Sequence, residues 1–281
     1  SGNDPSDYSD GDISLSQTVE GDPTTFRIAS LNVLGAGHTD GRGGRDKYAD
    51  GGIRLKMQVN ALRAQDIALV GFQGLQPPQY RMFRERAGEE YTMWPGNIEG
   101  RGFLRNSIAW RKADWTLVDT SWLKLPYFRG EQLRMPVVKL ANNLTGQEMY
   151  FINFQNPANA RGDAERWRDQ GRNLQIALVN QLRRDTRLPV FWTGDLNERE
   201  DAFCDVTART DLKSASGGVN SKSCAPRTPM WVDWVFGSAE VTFSQYVADR
   251  SRRVVRSTDH PMIVATATVP ATKAVVCTVP V

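Results

Sequence analysis

Histidine is nearly absent from this chain: His38 and His260 are the only two in 281 residues. Imidazole chemistry is therefore confined to two positions. Cysteine is scarce as well, with Cys204, Cys224 and Cys277 alone. No apolar run approaches the ~18–20 residues that a membrane-spanning helix needs. No segment repeats at a period of about 20–50 residues, which argues against solenoids and propellers. Lys and Arg are missing from residues 1–25, where Asp4, Asp7, Asp10, Asp12, Glu20 and Asp22 stand. Those six acids put −6 in that segment, so an overall charge of +3 leaves +9 on the remainder.

What is present is ordinary for a globular chain, with 40% hydrophobic and 24% charged residues. A chain of this length buries a sizeable core. The basic body suits a polyanionic partner, such as nucleic acid or a phosphorylated polymer, or is simply an Arg-rich surface. Residues 1–25 are rich in Ser, Asp and Gly and cannot offset their ordering entropy by burial. They read as an acidic disordered linker, of the kind that forms a stalk, ahead of one folded domain over 26–281. Ser1-Gly2-Asn3 shows no signal peptide and reads as a trimmed start, so a leader or anchor is expected to have been removed. Cys204 and Cys224 flank the Gly/Ser-rich stretch 214–223. A disulfide closing that loop would stabilise by roughly 3 kcal/mol in the chain-entropy model. Such a bond points to a secreted or cell-surface, extracytoplasmic location. Cys277 is left over, either free or paired outside this chain.

Periodicity predicts strands over 26–33, 66–72, 107–110, 115–118, 188–193, 231–236, 241–243 and 262–267, and a hairpin of 137–140 with 148–153. It predicts helices over 54–64, 77–87 and 163–184, the second opened by Pro77 or Pro78. Many strands with a few helices imply packed sheets with helices outside. Periodicity alone leaves open a sandwich or a doubly wound sheet.

The candidate chemistry lies at strand ends. Thr193-Gly-Asp-Leu-Asn197 follows an apolar strand, and Asp195 and Asn197, two apart, would project the same way. Such a pair can hold a phosphate-attacking water and a hard cation, though the same tetrapeptide makes a plain turn. Asp233 sits inside the apolar run 231–236, where an acid is costly unless paired. His260, in Ser257-Thr-Asp-His-Pro261, is a suitable partner, and an Asp–His pair orients an imidazole for proton transfer. A lone His is also commonly structural. Arg161, Arg166, Arg168 and Arg172 either line a cleft rim or form the solvated face of a helix.

Leu31-Asn32-Val33, Gly71-Phe-Gln-Gly-Leu-Gln76, Asn153-Phe-Gln-Asn156, Gly194-Asp-Leu-Asn197, Trp231-Val-Asp-Trp234 and Thr258-Asp-His260 occur in that order. Together they resemble the endonuclease/exonuclease/phosphatase (deoxyribonuclease I-like) family over residues 26–268, in its secreted, actinobacterial-type branch. The resemblance implies a four-layer α/β sandwich of two mixed, mostly antiparallel sheets with outer helices. It also implies Mg²⁺-dependent phosphoester hydrolysis at the strand ends between the sheets. Carried over by motif, Asn32 binds metal or phosphate, Asp195 orients or deprotonates the attacking water and Asn197 supports the phosphate and metal. Asp233 orients His260, and Asp259 lies on the metal side. Asn153 and Arg161 join Asn32 as expected ligand-binding residues.

Two positions depart from that pattern. Gly74 stands where the resemblance implies a metal-binding Glu, and Gln155 stands where it implies a catalytic His. Glycine offers no ligand, and glutamine exchanges no proton near neutral pH. Any bound cation, Mg²⁺ or Ca²⁺, is then held weakly or not at all. The sequence therefore predicts a catalytically impaired, monomeric protein that binds a phosphate-bearing or polyanionic ligand or a cell-surface protein. The alternative is an active metal-dependent phosphodiesterase with a rearranged site. Gly74→Glu together with Gln155→His is expected to restore metal binding and some hydrolysis.

Overall fold

The computed structural model describes residues 17–97 and 105–276. Cys277 and residues 1–16 of the acidic segment lie outside the described residues. In chain order the elements are β1 (Gln17–Glu20), β2 (Thr24–Asn32), α1 (Gly51–Ala64), β3 (Leu69–Gln73), α2 (Pro77–Ala87), β4 (Tyr91–Trp94), β5 (Ser107–Arg111), β6 (Trp115–Pro126), β7 (Gln132–Asn142), β8 (Glu148–Gln155), α3 (Glu165–Thr186), β9 (Val190–Asp195), α4 (Glu200–Arg209), β10 (Lys213–Ser214), β11 (Val219–Asn220), β12 (Cys224–Ala225), β13 (Asp233–Gly237), β14 (Thr242–Asp249), α5 (Arg252–Val255), β15 (Met262–Val269) and β16 (Lys273–Val276). Within the stretch read as a linker, β1 pairs antiparallel with β16, and β2 already begins at Thr24.

The main strands form two six-stranded sheets, ordered β14-β15-β2-β3-β5-β4 and β10-β13-β9-β8-β7-β6. Each sheet contains one parallel pair, β2 with β3 and β8 with β9. Parallel neighbours need a crossover, here made by α1 in one sheet and α3 in the other. The remaining pairings in both sheets are antiparallel. This is the α/β sandwich that the sequence implied.

Three apolar clusters hold the layers. Between the sheets, Phe26, Ile28, Leu69 and Trp110 meet Phe151, Phe191 and Val235. Phe151 stacks on Phe191 with ring centroids 5.3 Å apart. Leu31, Val59, Leu62, Phe72 and Phe83 fill the space under α1 and α2. Ile152, Phe154, Ile176, Trp192, Phe203 and Phe236 do the same under α3 and α4.

Strand alternation then determines where the site lies. On β2, Phe26 and Ile28 face the other sheet, and continuing in steps of two along that face reaches Ser30 and Asn32. The same count leads on β3 from Leu69 through Gly71 to Gln73, and on β8 from Phe151 through Asn153 to Gln155. On β9 it leads from Phe191 through Thr193 to Asp195, and on β13 from Val235 back to Asp233. One intersheet face thus grades from apolar, through small or neutral polar, to amide and acidic. At the middle step the sheets approach closely: a Cβ on Gly71 would stand 1.9 Å from Thr193 Oγ1.

Some boundaries differ from the sequence expectation. Asp66 has φ 54°, so the run expected over 66–72 turns first and pairs only from Leu69. The helix expected from Arg54 starts at Gly51, and that expected over 163–184 runs Glu165–Thr186. Cys204 and Cys224 are joined, pinning α4 to β12 across the Gly/Ser-rich loop.

Candidate functional site

Asp195 closes β9 directly opposite Asp233 of β13 and Gln155 of β8. Asn32 of β2 reaches across from the other sheet, its Nδ2 donating to Asp195 Oδ2 at 2.9 Å. Asn32 Oδ1 in turn accepts from the Leu34 amide at 3.0 Å. Asp195 Oδ1 accepts from the Asn197 amide at 3.0 Å. Asn197 lies past the strand with φ 52°, so a turn, not strand alternation, brings it back to Asp195. Its Nδ2 donates to the Asn156 carbonyl at 2.6 Å. The turn reading and the site reading of Gly-Asp-Leu-Asn describe one object.

His260 Nδ1 lies 3.0 and 2.9 Å from the two oxygens of Asp233, so the ring donates to that carboxylate. Its Nε2 faces Asp195 Oδ2 at 3.9 Å and Asp259 Oδ1 at 3.8 Å. Burial opposes charge on His260, but the Asp233 hydrogen bond and three nearby carboxylates outweigh it and lift its pKa to about 9. Burial, followed by the charge of Asp233, pushes Asp195 up to about 7 despite His260, Asn32 and Asn197. Burial likewise raises Asp233, against the pull of His260. The upward shift favours the imidazolium form of His260, which makes it a poor base, and the surrounding carboxylates offset that charge.

These groups open into a cavity of about 390 Å³ lined also by Gln155, Arg161 and Gly74. Arg45, Arg105, His38 and Tyr127 line it too. None of these four stood in a motif, and only the Gly-rich sequence around Arg45 hinted at a loop. Arg161 stacks over Phe128 with its guanidinium carbon 5.2 Å from the ring centre. Asn153, expected among ligand-binding residues, is placed elsewhere: it is fully buried between the sheets. Its Nδ2 donates to the Phe72 carbonyl at 2.7 Å, and its Oδ1 accepts from Gln73 and Thr193. Arg168 and Arg172 are neither rim nor solvated face. Arg168 bonds the Pro157 carbonyl and Asn159, and Arg172 bonds Glu198 and Asp205.

A further guanidinium is buried beneath the cleft. Arg54 is 0% exposed and donates to the carbonyls of Val33, Leu34, Ala49 and Ser257 and to Thr39 Oγ1, all at 2.7–2.8 Å. It thereby ties together the end of β2, the 39–49 loop and the segment that carries Asp259 and His260. Gln58 repeats two of those contacts, to Val33 and Ser257.

At the departing positions, Gly74 has φ +75°. A Cβ there would have only Asn32 Oδ1 at 3.5 Å and the Gly35 amide nitrogen at 3.6 Å within reach. Space for a side chain exists, but the backbone is left-handed, which disfavours any L side chain. A Gly74→Glu reversion must therefore also turn the backbone. The Gln155 side chain makes no hydrogen bond among the described residues.

The fold implies a divalent cation, and the residues can be tested against one. Asp195, Asp233 and His260 each offer a ligand atom, all within 4.8 Å of one another. A nitrogen donor in that set suits a transition ion better than Mg²⁺ or Ca²⁺, and binding there would compete with the Asp233–His260 pair. A hard cation fills much of its shell with water and needs only one or two carboxylates, but the oxygens around this set are largely engaged. Gly74 brings none, Asn32 Oδ1 serves Leu34, and Asp259 Oδ2 accepts from Arg45 at 2.8 Å.

No sequence-family model and no curated protein matches the chain. Solved structures do. An endonuclease/exonuclease/phosphatase family protein from Bacteroides thetaiotaomicron aligns at TM-score 0.70 and 16% identity, covering 88% of this chain and 98% of that one. A mannosyl-6-phosphatase from the same species aligns at TM-score 0.67 and 17% identity, over 87% and 99%. The human Nocturnin catalytic domain, solved with a bound sulfate, aligns at 0.65 and 14%, over 92% and 98%. The chain has the endonuclease/exonuclease/phosphatase fold.

Proposed function

We propose that this chain is a secreted or cell-surface protein that uses a nuclease-type cleft to hold a phosphate-bearing, polyanionic ligand with little or no hydrolysis. The observation that carries the reading is Gly74: a left-handed glycine occupies the rim position where the resemblance implies the principal metal carboxylate. Without that ligand and without a proton-exchanging group at Gln155, both charge stabilisation by metal and acid–base help are weakened. What the cleft retains is three arginines, Arg45, Arg105 and Arg161, with His260 and the amides Asn32 and Gln155, beside the carboxylates Asp195 and Asp259. Structures of the same fold include a mannosyl-6-phosphatase and a 2',3'-cyclic phosphatase, so phosphoryl ligands are the natural class. The Cys204–Cys224 bond supports an oxidising compartment.

One observation favours a second reading, an active metal-dependent phosphodiesterase. Asp195, Asp233 and His260 keep a compact, hydrogen-bonded arrangement that could still activate water. Incubation with DNA, RNA and bis(p-nitrophenyl) phosphate in Mg²⁺, Mn²⁺ or Ca²⁺ separates the two. The first reading expects no turnover above that of Asp195→Ala. Metal-dependent cleavage that Asp195→Ala abolishes would establish the second.

A further inference from the structure

The cleft contains an ion pair that the motifs did not anticipate. Arg45 Nη1 lies 2.8 Å from Asp259 Oδ2, with the two side chains 46% and 35% exposed. That is the only side-chain hydrogen bond of Arg45 among the described residues, so most of its five N–H donors are uncommitted. Arg45 lines the same cavity as Asn32, Asp195 and His260. We propose that the Arg45 guanidinium does the work of a divalent cation here, sitting on Asp259 and presenting its remaining donors to a phosphate group, so that the cleft binds phosphate without metal. This rests on the phosphate-ligand reading above and specifies its chemistry.

Three observations support the assignment. First, the oxygens a hard cation would need are missing or spoken for, at Gly74, Asn32 and Asp259. An ion entering there would have to displace a guanidinium of like charge. Second, the planar fork of arginine matches phosphate geometry and keeps its charge at any physiological pH. Third, the loop that carries Arg45 is anchored. The Arg45 amide donates to the His38 carbonyl at 3.1 Å. Buried Arg54 grips both flanks of the loop, at Thr39 and Ala49. The same Arg54 holds Ser257, two residues before Asp259, so the two halves of the ion pair are positioned by one buried group. Among the described residues Arg54 itself bonds only neutral acceptors, and the carboxylates of Asp40, Asp259 and Asp50 act on it through space.

The test is calorimetric titration of inorganic phosphate into the full chain in chelator-treated buffer, with and without added Mg²⁺, for the parent, Arg45→Ala, Arg45→Lys and Asp259→Asn. Metal-free binding is expected for the parent, unchanged by Mg²⁺. Arg45→Ala should weaken it about tenfold, the loss of a charge-assisted contact of about 1.4 kcal/mol. Arg45→Lys should recover part of it. Asp259→Asn should tighten it, because the carboxylate no longer competes for the guanidinium. Under a metal-centre account Asp259→Asn would instead abolish binding. Phosphate binding that appears only with Mg²⁺ and ignores Arg45→Ala overturns the inference and leaves the phosphate-ligand reading standing. No phosphate binding under either condition overturns both.

Discussion

Two sets of strand ends meet side by side at the mouth of the cleft in opposite chemical states, with Gln155 across from Asp195 and Gly74 beside Asn32. At one end Asp195, Asp233, His260, Asn32 and Asn197 form a closed set in which nearly every polar atom has a partner. At the other, Gly74 presents no side chain and the Gln155 side chain has no hydrogen bond among the described residues. The first end is tied into the interior: Asp195 and Asp233 are almost fully buried, and Arg54 braces the segments around it. Changing any member there would strand a buried polar group, at about 1–3 kcal/mol each. The second borders the open cavity, where Gln155 can change with little penalty to folding while Gly74 is limited by its left-handed backbone. Retention of a catalytic-looking constellation is thus explained by stability alone, and it is weak evidence of catalysis.

The sharpest way to break this contrast is to remove the brace. Arg54→Met removes five hydrogen bonds, leaving Gln58 to donate to Val33 and Ser257 and Gln79 to Leu34, and is expected to cost about 3 kcal/mol in urea unfolding. A loss below about 1 kcal/mol would show that the first end is not held as described.

The second effect is a dependence on pH. Asp195 and His260 both bind protons more tightly in the folded state, with pKa values of about 7 and about 9. The His260 contribution is complete below its unfolded pKa of about 6.5 and disappears as pH rises through about 9. That of Asp195 is lost over the lower range, between about 4 and 7. Stability should therefore fall as pH rises, by a few kcal/mol in all, since each tenfold gain in proton affinity is worth about 1.4 kcal/mol. Asp233→Asn should flatten the part above pH 6.5. Denaturant midpoints measured across pH 5–9.5 that rise or stay level for the parent would contradict this electrostatic picture.

The smallest effect belongs to the vacated end. Gly74→Ala should cost about 1–2 kcal/mol through the left-handed backbone alone, because the added carbon meets nothing closer than 3.5 Å. A neutral or stabilising result would mean that the backbone there is not left-handed, and that a Glu could be restored without rearrangement.

Much of this contrast was legible in the sequence. Asn32, Asp195 and Asp233 lie at the ends of apolar, alternating strands, so their convergence followed from period-two geometry, while Asn197 is brought in by a turn and His260 by its pairing with Asp233. The absent groups at 74 and 155 were equally plain. Asn153 was misplaced because position along a strand was not separated from depth. It sits one alternation inward of Gln155, where the sheets are in contact. Arg45 was missed because its role depends on how a Gly-rich loop folds back, and no periodicity encodes that. Arg54 was read as a helix start, and nothing in a lone arginine signals five neutral acceptors around it. The long strands β6 and β14 were truncated or overlooked because much of each is exposed and carries little apolar alternation.

The most direct test of the central claim, that this cleft is a phosphate site and not a metal centre, is a calorimetric titration of Mg²⁺ into the unmodified chain. The account predicts no saturable binding tighter than about 1 mM, the weak end of protein cation sites. A one-site isotherm well below that concentration, lost in Asp259→Asn, would contradict it.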